Sequence, residues 1–142
     1  MKIRPASPDD APGVARLSTQ LGYPSTVEQS STRLASILAK DDHVIYVAEL
    51  LDGEVAGWIH VHGTYHLQAN PYAEIGGLVV DEAQRSLGIG KALVEAAEAW
   101  VRGHGYPILR VRCNVIRTRA HGFYRSLGFD LHKSQSVFIK QI

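Results

Sequence analysis

Arg85-Ser86-Leu87-Gly88-Ile89-Gly90 lies between an apolar run and a stretch of helical periodicity, and the reading of this turn decides the fold. Before it, Ala73 to Val80 (AEIGGLVV) is apolar enough for a half-buried strand. After it, Leu93, Ala96, Ala97, Trp100, Val101 and His104 recur at helical spacing between Lys91 and His104. Strand, glycine-rich turn and helix direct several unpaired backbone N–H groups at one point, and the helix dipole adds positive charge there. Such a turn suits an anion such as a diphosphate. Gly88 and Gly90 permit close approach because no Cβ stands in the way.

Working outward, the 142 residues fit one domain spanning 1–142, 45% hydrophobic and 20% charged, which is ordinary globular usage. A formal net charge of +1 gives no reason to expect nucleic acid or an anionic membrane as a partner. Cys113 is the single cysteine, so no intramolecular disulfide forms. No CxxC or Cys/His zinc spacing occurs, and no metal is expected. The opening MKIRPASPDD has no apolar signal core and no later run approaches a membrane span, so a cytoplasmic location is expected.

Lys2 to Ala6 reads as a first strand. A helix opens at Asp9 and Asp10 with Val14, Leu17 and Leu21 inward, and Gly22-Tyr23-Pro24-Ser25 breaks it. Ser25 or Thr26 caps a second helix whose apolar side is Val27, Leu34, Ile37 and Leu38. His43 to Leu51 and Val55 to His62 form a hairpin around Asp52-Gly53, and Gly63 to Pro71 is a polar connection. Beyond the long helix, Gly103, Gly105 and Pro107 stop it, and Ile108 to Cys113 alternates as a strand. Thr118 to Leu127 reads as a short helix closed by Gly128, and Phe129 to Leu131 and Ser136 to Ile139 as two final strands. The order β-α-α-β-β-β-α-β-α-β-β predicts an α/β fold in which helices flank one sheet.

Two familiar nucleotide turns fail on residues their chemistry needs. Lys91 follows Gly90 as in a P-loop, but Ala92 then supplies no hydroxyl for magnesium, and the glycine spacing is wrong. A dinucleotide-binding turn needs a third glycine, and only Gly88 and Gly90 precede the helix. Taken alone, the turn is equally compatible with plain strand-to-helix architecture.

The flanking residues decide between these. Leu78-Val79-Val80-Asp81, Gln84-Arg85 and Gly88-Ile89-Gly90-Lys91-Ala92-Leu93 closely resemble the acetyl-CoA motif of the GNAT N-acetyltransferase superfamily, Q/R-x-x-G-x-G/A. Asn114, Ala120, Phe123-Tyr124 and Leu127-Gly128-Phe129 resemble its second signature. The resemblance implies a mixed, mostly antiparallel sheet of about seven strands flanked by four helices, with acetyl-CoA as co-substrate. It further implies that backbone groups of Leu78, Val79 and Val80 pair with the pantetheine arm. The N–H groups of Arg85, Ser86, Leu87, Gly88, Ile89, Gly90 and Lys91 would hold the pyrophosphate. Asn114 would hydrogen-bond the pantetheine. Arg117 and Arg119 could meet the cofactor's phosphates or merely form a solvated helix start. Ser86-Leu87 replaces the frequent Arg-Gly pair, and Arg117 stands where many members have asparagine. The string Asn114, Arg117, Ala120, His121, Phe123, Tyr124 is similar to the aminoalkylphosphonate N-acetyltransferase group, with related small-amine and aminoglycoside enzymes sharing such strings. A homodimer would be consistent with the resemblance.

Acyl transfer to an amine of pKa ~10 needs a proton acceptor, and a departing thiolate of pKa ~8.5 benefits from a hydroxyl donor. The resemblance places Tyr124 near the thioester sulfur, which makes it the candidate acid. Glu74 is the candidate base; period two puts it on one face with Gly76 and Leu78. Backbone N–H groups near Leu78 could serve as oxyanion donors. Cys113 has no evident adjacent base and reads as a buried small side chain, so direct attack in a ternary complex is expected. His60 and His62 share one strand face with His66 in the next loop, where they could line an acceptor pocket, supply a base, bind a metal or simply form a polar face. The leading reading is acetyl transfer to a small primary amine. Acetylation of a protein N-terminus or lysine, and a non-catalytic acyl-CoA-binding module, stay open at this point.

Overall fold

The computed structural model describes residues 1–85 and 87–142; Ser86 lies outside the described residues. The chain forms two compact units, Met1–Val111 and Arg112–Ile142.

In the first unit, strand β1 (Lys2–Pro5) leads through a 3₁₀ turn (Pro8–Asp10) into α1 (Ala11–Leu21) and then α2 (Val27–Leu38). Strands β2 (His43–Glu49), β3 (Val55–His66) and β4 (Ala69–Val80) follow, then a 3₁₀ turn (Glu82–Gln84), α3 (Ile89–Gly103) and β5 (Leu109–Val111). The five strands lie in the order β1-β2-β3-β4-β5. All neighbours are antiparallel except β4 and β5, which run parallel.

Local chemistry explains the boundaries. Thr26 caps α2: its hydroxyl accepts from the Gln29 N–H at 3.1 Å while Gln29 Oε1 accepts from the Thr26 N–H at 3.0 Å, so two donors at the helix start are satisfied. The β2–β3 turn closes where expected, with the Leu50 N–H donating to Glu54 O at 2.8 Å. At β1, Arg4 reaches Asp10 through two guanidinium nitrogens at 2.9 and 2.8 Å, and the Ser7 N–H adds a third bond to the same carboxylate at 2.8 Å.

The paired residues divide the sheet into two faces. Val47, Trp58 and Val79 stand on one face. There Val47, Val55 and Val79 pack with Leu17 of α1, and Ile45 packs with Ala11 and Leu34. Gly57 and Ile59 belong to the other face, where a Cβ on Gly57 would meet Leu93 and Ile89 of α3 at 3.1 and 3.3 Å. Leu93, Val94 and Ala97 of α3 are fully buried.

The observed strands depart from the expected ones in two places. Gly63 to Pro71, expected as a polar connection, is mostly ladder: β3 runs to His66 and β4 starts at Ala69, with Thr64 opposite Tyr72. Thr64, Tyr65 and Tyr72 are strand formers, and their propensity outweighs the polar residues between them. The sheet has five strands among the described residues, not about seven. Phe129 to Leu131 and Ser136 to Ile139 carry no strand, and Val137, Phe138 and Ile139 are exposed. Alternation makes a strand only where a partner pairs with it.

The second unit contains α4 (Thr118–Ser126). It ends at Gly128, whose φ of +91° is the left-handed conformation of a helix cap, with the Phe129 N–H returning to Tyr124 O at 3.1 Å. No helix among the described residues is long and apolar enough to cross a membrane.

Candidate active site

The glycine turn is held from beneath. Arg16 of α1 donates to Asp81 Oδ2 and to the Val55 carbonyl, both at 2.7 Å. Gln20, one turn further along, donates to Asp81 Oδ1 at 3.4 Å and accepts from the Glu82 N–H at 3.1 Å. The Ala83 N–H closes on Asp81 Oδ1 at 3.0 Å and, with Arg16, holds that carboxyl below the usual range. The shoulder Asp81–Gln84 is thus clamped to α1. Sequence reasoning missed this clamp, because its partners lie more than sixty residues apart and no local motif joins them.

Gly88 then adopts φ +79°, ψ 9°, and α3 starts at Ile89, two residues before the expected Lys91. The first intrahelical bond is Ala92 N–H to Gly88 O at 3.0 Å. The amides of Ile89, Gly90 and Lys91 therefore face outward from the helix start without intrahelical acceptors. Arg85 and Leu87 are exposed beside them, and Lys91 lies 3.9 Å from Glu95.

β4 leaves an edge open. Its last pair with β5 is Ile75 with Val111, and residues 76–80 have no ladder partner on that side among the described residues. Backbone groups of Leu78, Val79 and Val80 lie along this edge, while the Val79 side chain is buried in the α1 face.

Glu74 sits just before the open edge, 8% exposed. A bulge at Gly76 corrects the expected period-two arrangement. His60 pairs with Gly77 but Val61 pairs with Ile75, so Gly76 is an extra residue in β4. Glu74 consequently faces with His62, its register partner, while Leu78 pairs with Ile59 on the opposite face. A Cβ on Gly76 would stand 2.8 Å from His60 Nδ1 and 3.4 Å from His62 Cδ2, so the glycine still shares the Glu74 side and makes room for two rings.

Three histidines stack there. His60 and His62 share a face as expected, and His43, which sequence reasoning did not single out, joins them from β2. Ring centroids are 5.1 Å apart for His43–His60 and His43–His62, and 5.4 Å for His60–His62. His43 Nδ1 and His60 Nε2 share a hydrogen bond at 2.9 Å. Burial first, then the two neighbouring rings, push His60 down to about 4; burial also lowers His43. His66 stands apart, stacked on Tyr72 with a 3.2 Å bond to its hydroxyl. No group of three or more ligands among the described residues has the arrangement a metal ion needs.

In the second unit, Tyr124 lies against Phe123 and Phe129, edge to face, with ring centroids 5.2 and 5.5 Å away. Burial, and then Cys113, push its phenol well above the ordinary range, so it stays protonated at neutral pH. Asn114 Oδ1 accepts from the Ile116 N–H at 3.2 Å, and His121 Nε2 bonds to Asn114 O at 3.0 Å. Arg117 is exposed at the start of α4. Burial raises the Cys113 thiol, with Arg117 opposing.

Residues 15–129 match the acetyltransferase (GNAT) family. The chain belongs to that family. Among its relatives is an aminoglycoside N(6')-acetyltransferase type 1 of Stenotrophomonas maltophilia, 30% identical over 135 residues that cover 90% of this chain and 85% of that protein. An aminoalkylphosphonate N-acetyltransferase of Salmonella typhimurium is 38% identical over 90 residues, 63% of this chain and 58% of the relative. The fold is shared with an aminoglycoside antibiotic 6'-N-acetyltransferase of Acinetobacter baumannii, at a TM-score of 0.88 and 19% identity over 99% of this chain and 98% of that one.

Acetyl-CoA is the donor of this acetyltransferase, and the turn fits a pyrophosphate. Among the described residues, and its own chain neighbours aside, none comes within 4 Å of the position a Cβ on Gly88 would take, so the αL residue leaves room beside the helix start. Gly88→Ala is expected to weaken CoA binding roughly tenfold, because about 1–2 kcal/mol of left-handed strain drives the turn away from this conformation. Calorimetric titration with CoA measures it, and an unchanged Kd would show that the αL turn is not needed for binding.

Proposed function

We propose that this acetyltransferase acylates the primary amine of a small-molecule acceptor by direct attack in a ternary complex. The observation that carries this reading is a nearly buried carboxylate, Glu74, on the strand whose edge then runs open from Gly76 to Val80. The open edge supplies backbone groups of Leu78, Val79 and Val80 for the pantetheine arm. The turn supplies the amides of Arg85 to Lys91 for the pyrophosphate, with Ser86 included on sequence grounds. Asn114 and Arg117 are assigned to the pantetheine and the phosphates.

Bound acetyl-CoA supplies an activated acetyl carbonyl with a thiol leaving group. Glu74 takes the proton that makes the amine nucleophilic. Backbone N–H groups near Leu78 receive the charge that develops on the carbonyl oxygen. Tyr124, held protonated by burial, donates to the departing sulfur. Cys113 is unsuited to a covalent intermediate, since burial keeps its thiol protonated.

Relatives named for aminoglycoside and for aminoalkylphosphonate acceptors favour a small amino compound over a protein. The test is thiol release from acetyl-CoA across a panel of aminophosphonates, polyamines, aminoglycosides and amino acids. Turnover of at least one is expected. Acetylation of a peptide library alone would move the acceptor to proteins, and CoA binding with no turnover on any acceptor would favour a binding module.

A further inference from the structure

Strands β3, β4 and β5 hold a single arginine and no lysine, and that arginine stands beside Glu74. Arg110 is the register partner of Glu74 across the parallel β4–β5 ladder, so both side chains leave the sheet on the same face. The Arg110 guanidinium reaches along that face to the Tyr72 ring, 4.7 Å from its centroid. Tyr72 lies two positions before Glu74 and is 7% exposed, and its hydroxyl is bonded to His66 Nε2 at 3.2 Å. Burial and that bond make the ring a firm bed for the cation. A cation–π contact is not a hydrogen bond, so Tyr72 consumes none of the five N–H donors of Arg110. A planar fork presented in this way matches two oxygens of one carboxylate or phosphonate.

The surroundings suit a small charged guest. Towards the open edge the same face carries His62, with His43 and His60 beside it. His43 and His60 share their 2.9 Å hydrogen bond, and burial keeps both neutral near pH 7, so they bring no charge to rival Arg110. Gly76 is exposed and has no side chain to screen Glu74 from the open edge. From the edge inward the face thus offers a glycine, a carboxylate and a guanidinium. Glu74 and Tyr72 are about 7 Å apart along the strand. An ammonium in front of Glu74 therefore places a negative group on a short alkyl linker within reach of Arg110.

We propose that Arg110 determines acceptor specificity: carried on Tyr72, it binds an anionic group, and the preferred acceptor is a primary amine joined by a short alkyl chain to a carboxylate or phosphonate. This rests on Glu74 receiving the amine. The same charge disfavours a polycationic acceptor, which would bring a second ammonium against the guanidinium.

The test compares kcat and KM for propylamine, γ-aminobutyrate, aminopropylphosphonate and spermidine, using acetyl-CoA and the intact protein. The first three share one propyl amine and differ in the group at its end. At least one of the two acids should exceed propylamine in kcat/KM roughly 30-fold, with spermidine no better than propylamine. The acid that gains more shows whether the site takes a carboxylate or a phosphonate. In Arg110→Gln the preference should shrink to within about threefold, through KM of the acid rather than kcat. Arg110→Lys should keep part of it, as a charge without the fork. Acids no better than propylamine, a preference for spermidine, or a preference undiminished in Arg110→Gln overturns the proposal. The first two outcomes come from the wild type, and Arg110→Lys stands in should Arg110→Gln fail to fold. Absence of turnover with every amine is the failure of the small-amine reading itself. Calorimetric titration of both acids into CoA-saturated protein then decides on Arg110 separately: binding weakened roughly tenfold or more in the variant supports the site, and equal or absent binding overturns it.

Discussion

Tyr124→Phe is expected to lower kcat roughly 100-fold while leaving the Kd for CoA within about twofold, the lower range for removal of a general acid. The substitution deletes one oxygen and keeps the ring that lies edge to face with Phe123 and Phe129. Packing and thermal stability should therefore be retained. Burial holds the Tyr124 phenol well above its ordinary range, so the wild-type hydroxyl is a donor across the whole neutral region. The loss in the variant should accordingly be uniform from pH 6 to 9. Steady-state kinetics with calorimetry separates the two quantities. An unchanged kcat would remove Tyr124 from the chemistry.

The second large effect is on stability. Asp10 is 5% exposed and accepts three hydrogen bonds, two from Arg4 and one from the Ser7 N–H. Asp10→Ala strands the Arg4 guanidinium and undoes the junction between β1 and α1. Loss of a buried pair costs about 3–5 kcal/mol. Arg4 keeps 23% of its side chain accessible and retains Glu49 at 3.2 Å, so the lower end applies. That is a fall in Tm of roughly 10 °C. The sign with pH follows from the carboxyl. Burial alone would raise its pKa, but Arg4 and the Ser7 N–H outweigh burial and lower it. A depressed folded pKa gives stability that is fully present above the ordinary carboxylate range and is lost as pH falls through the folded value. Thermal melts between pH 7 and 3 should show the wild type converging on Asp10→Ala at the acid end. A constant gap across that range would mean the ion pair is not its source.

Much of this was legible in the chain, and what was not has a common physical cause. The Gly88-Ile89-Gly90 turn, the Thr26 cap and the Asp52-Gly53 hairpin are written in residues adjacent to one another, so local rules reach them. The pairing of Glu74 with His62 rather than with Leu78 depends on one inserted residue, Gly76, and a bulge shifts the face of every residue after it. His43 meets His60 only through the β2–β3 register, seventeen positions away. The Arg16–Asp81 clamp spans the whole first sheet hairpin. At 129–131 and 136–139 the apolar residues suggested two short strands, but a strand is a property of two segments and the chain announces only one of them.

The unpaired border of β4 has a consequence for how the protein is kept. A strand edge inside a sheet is a template for any extended chain, and natural sheets ordinarily blunt such borders with charge, proline or cover. Residues 76–80, Gly-Gly-Leu-Val-Val, carry neither charge nor proline. Protein stored without a nucleotide thiol should therefore exchange these amides readily and self-associate on concentration, and added CoA should suppress both. What makes this border receptive to a passing ligand also makes it sticky in an empty test tube.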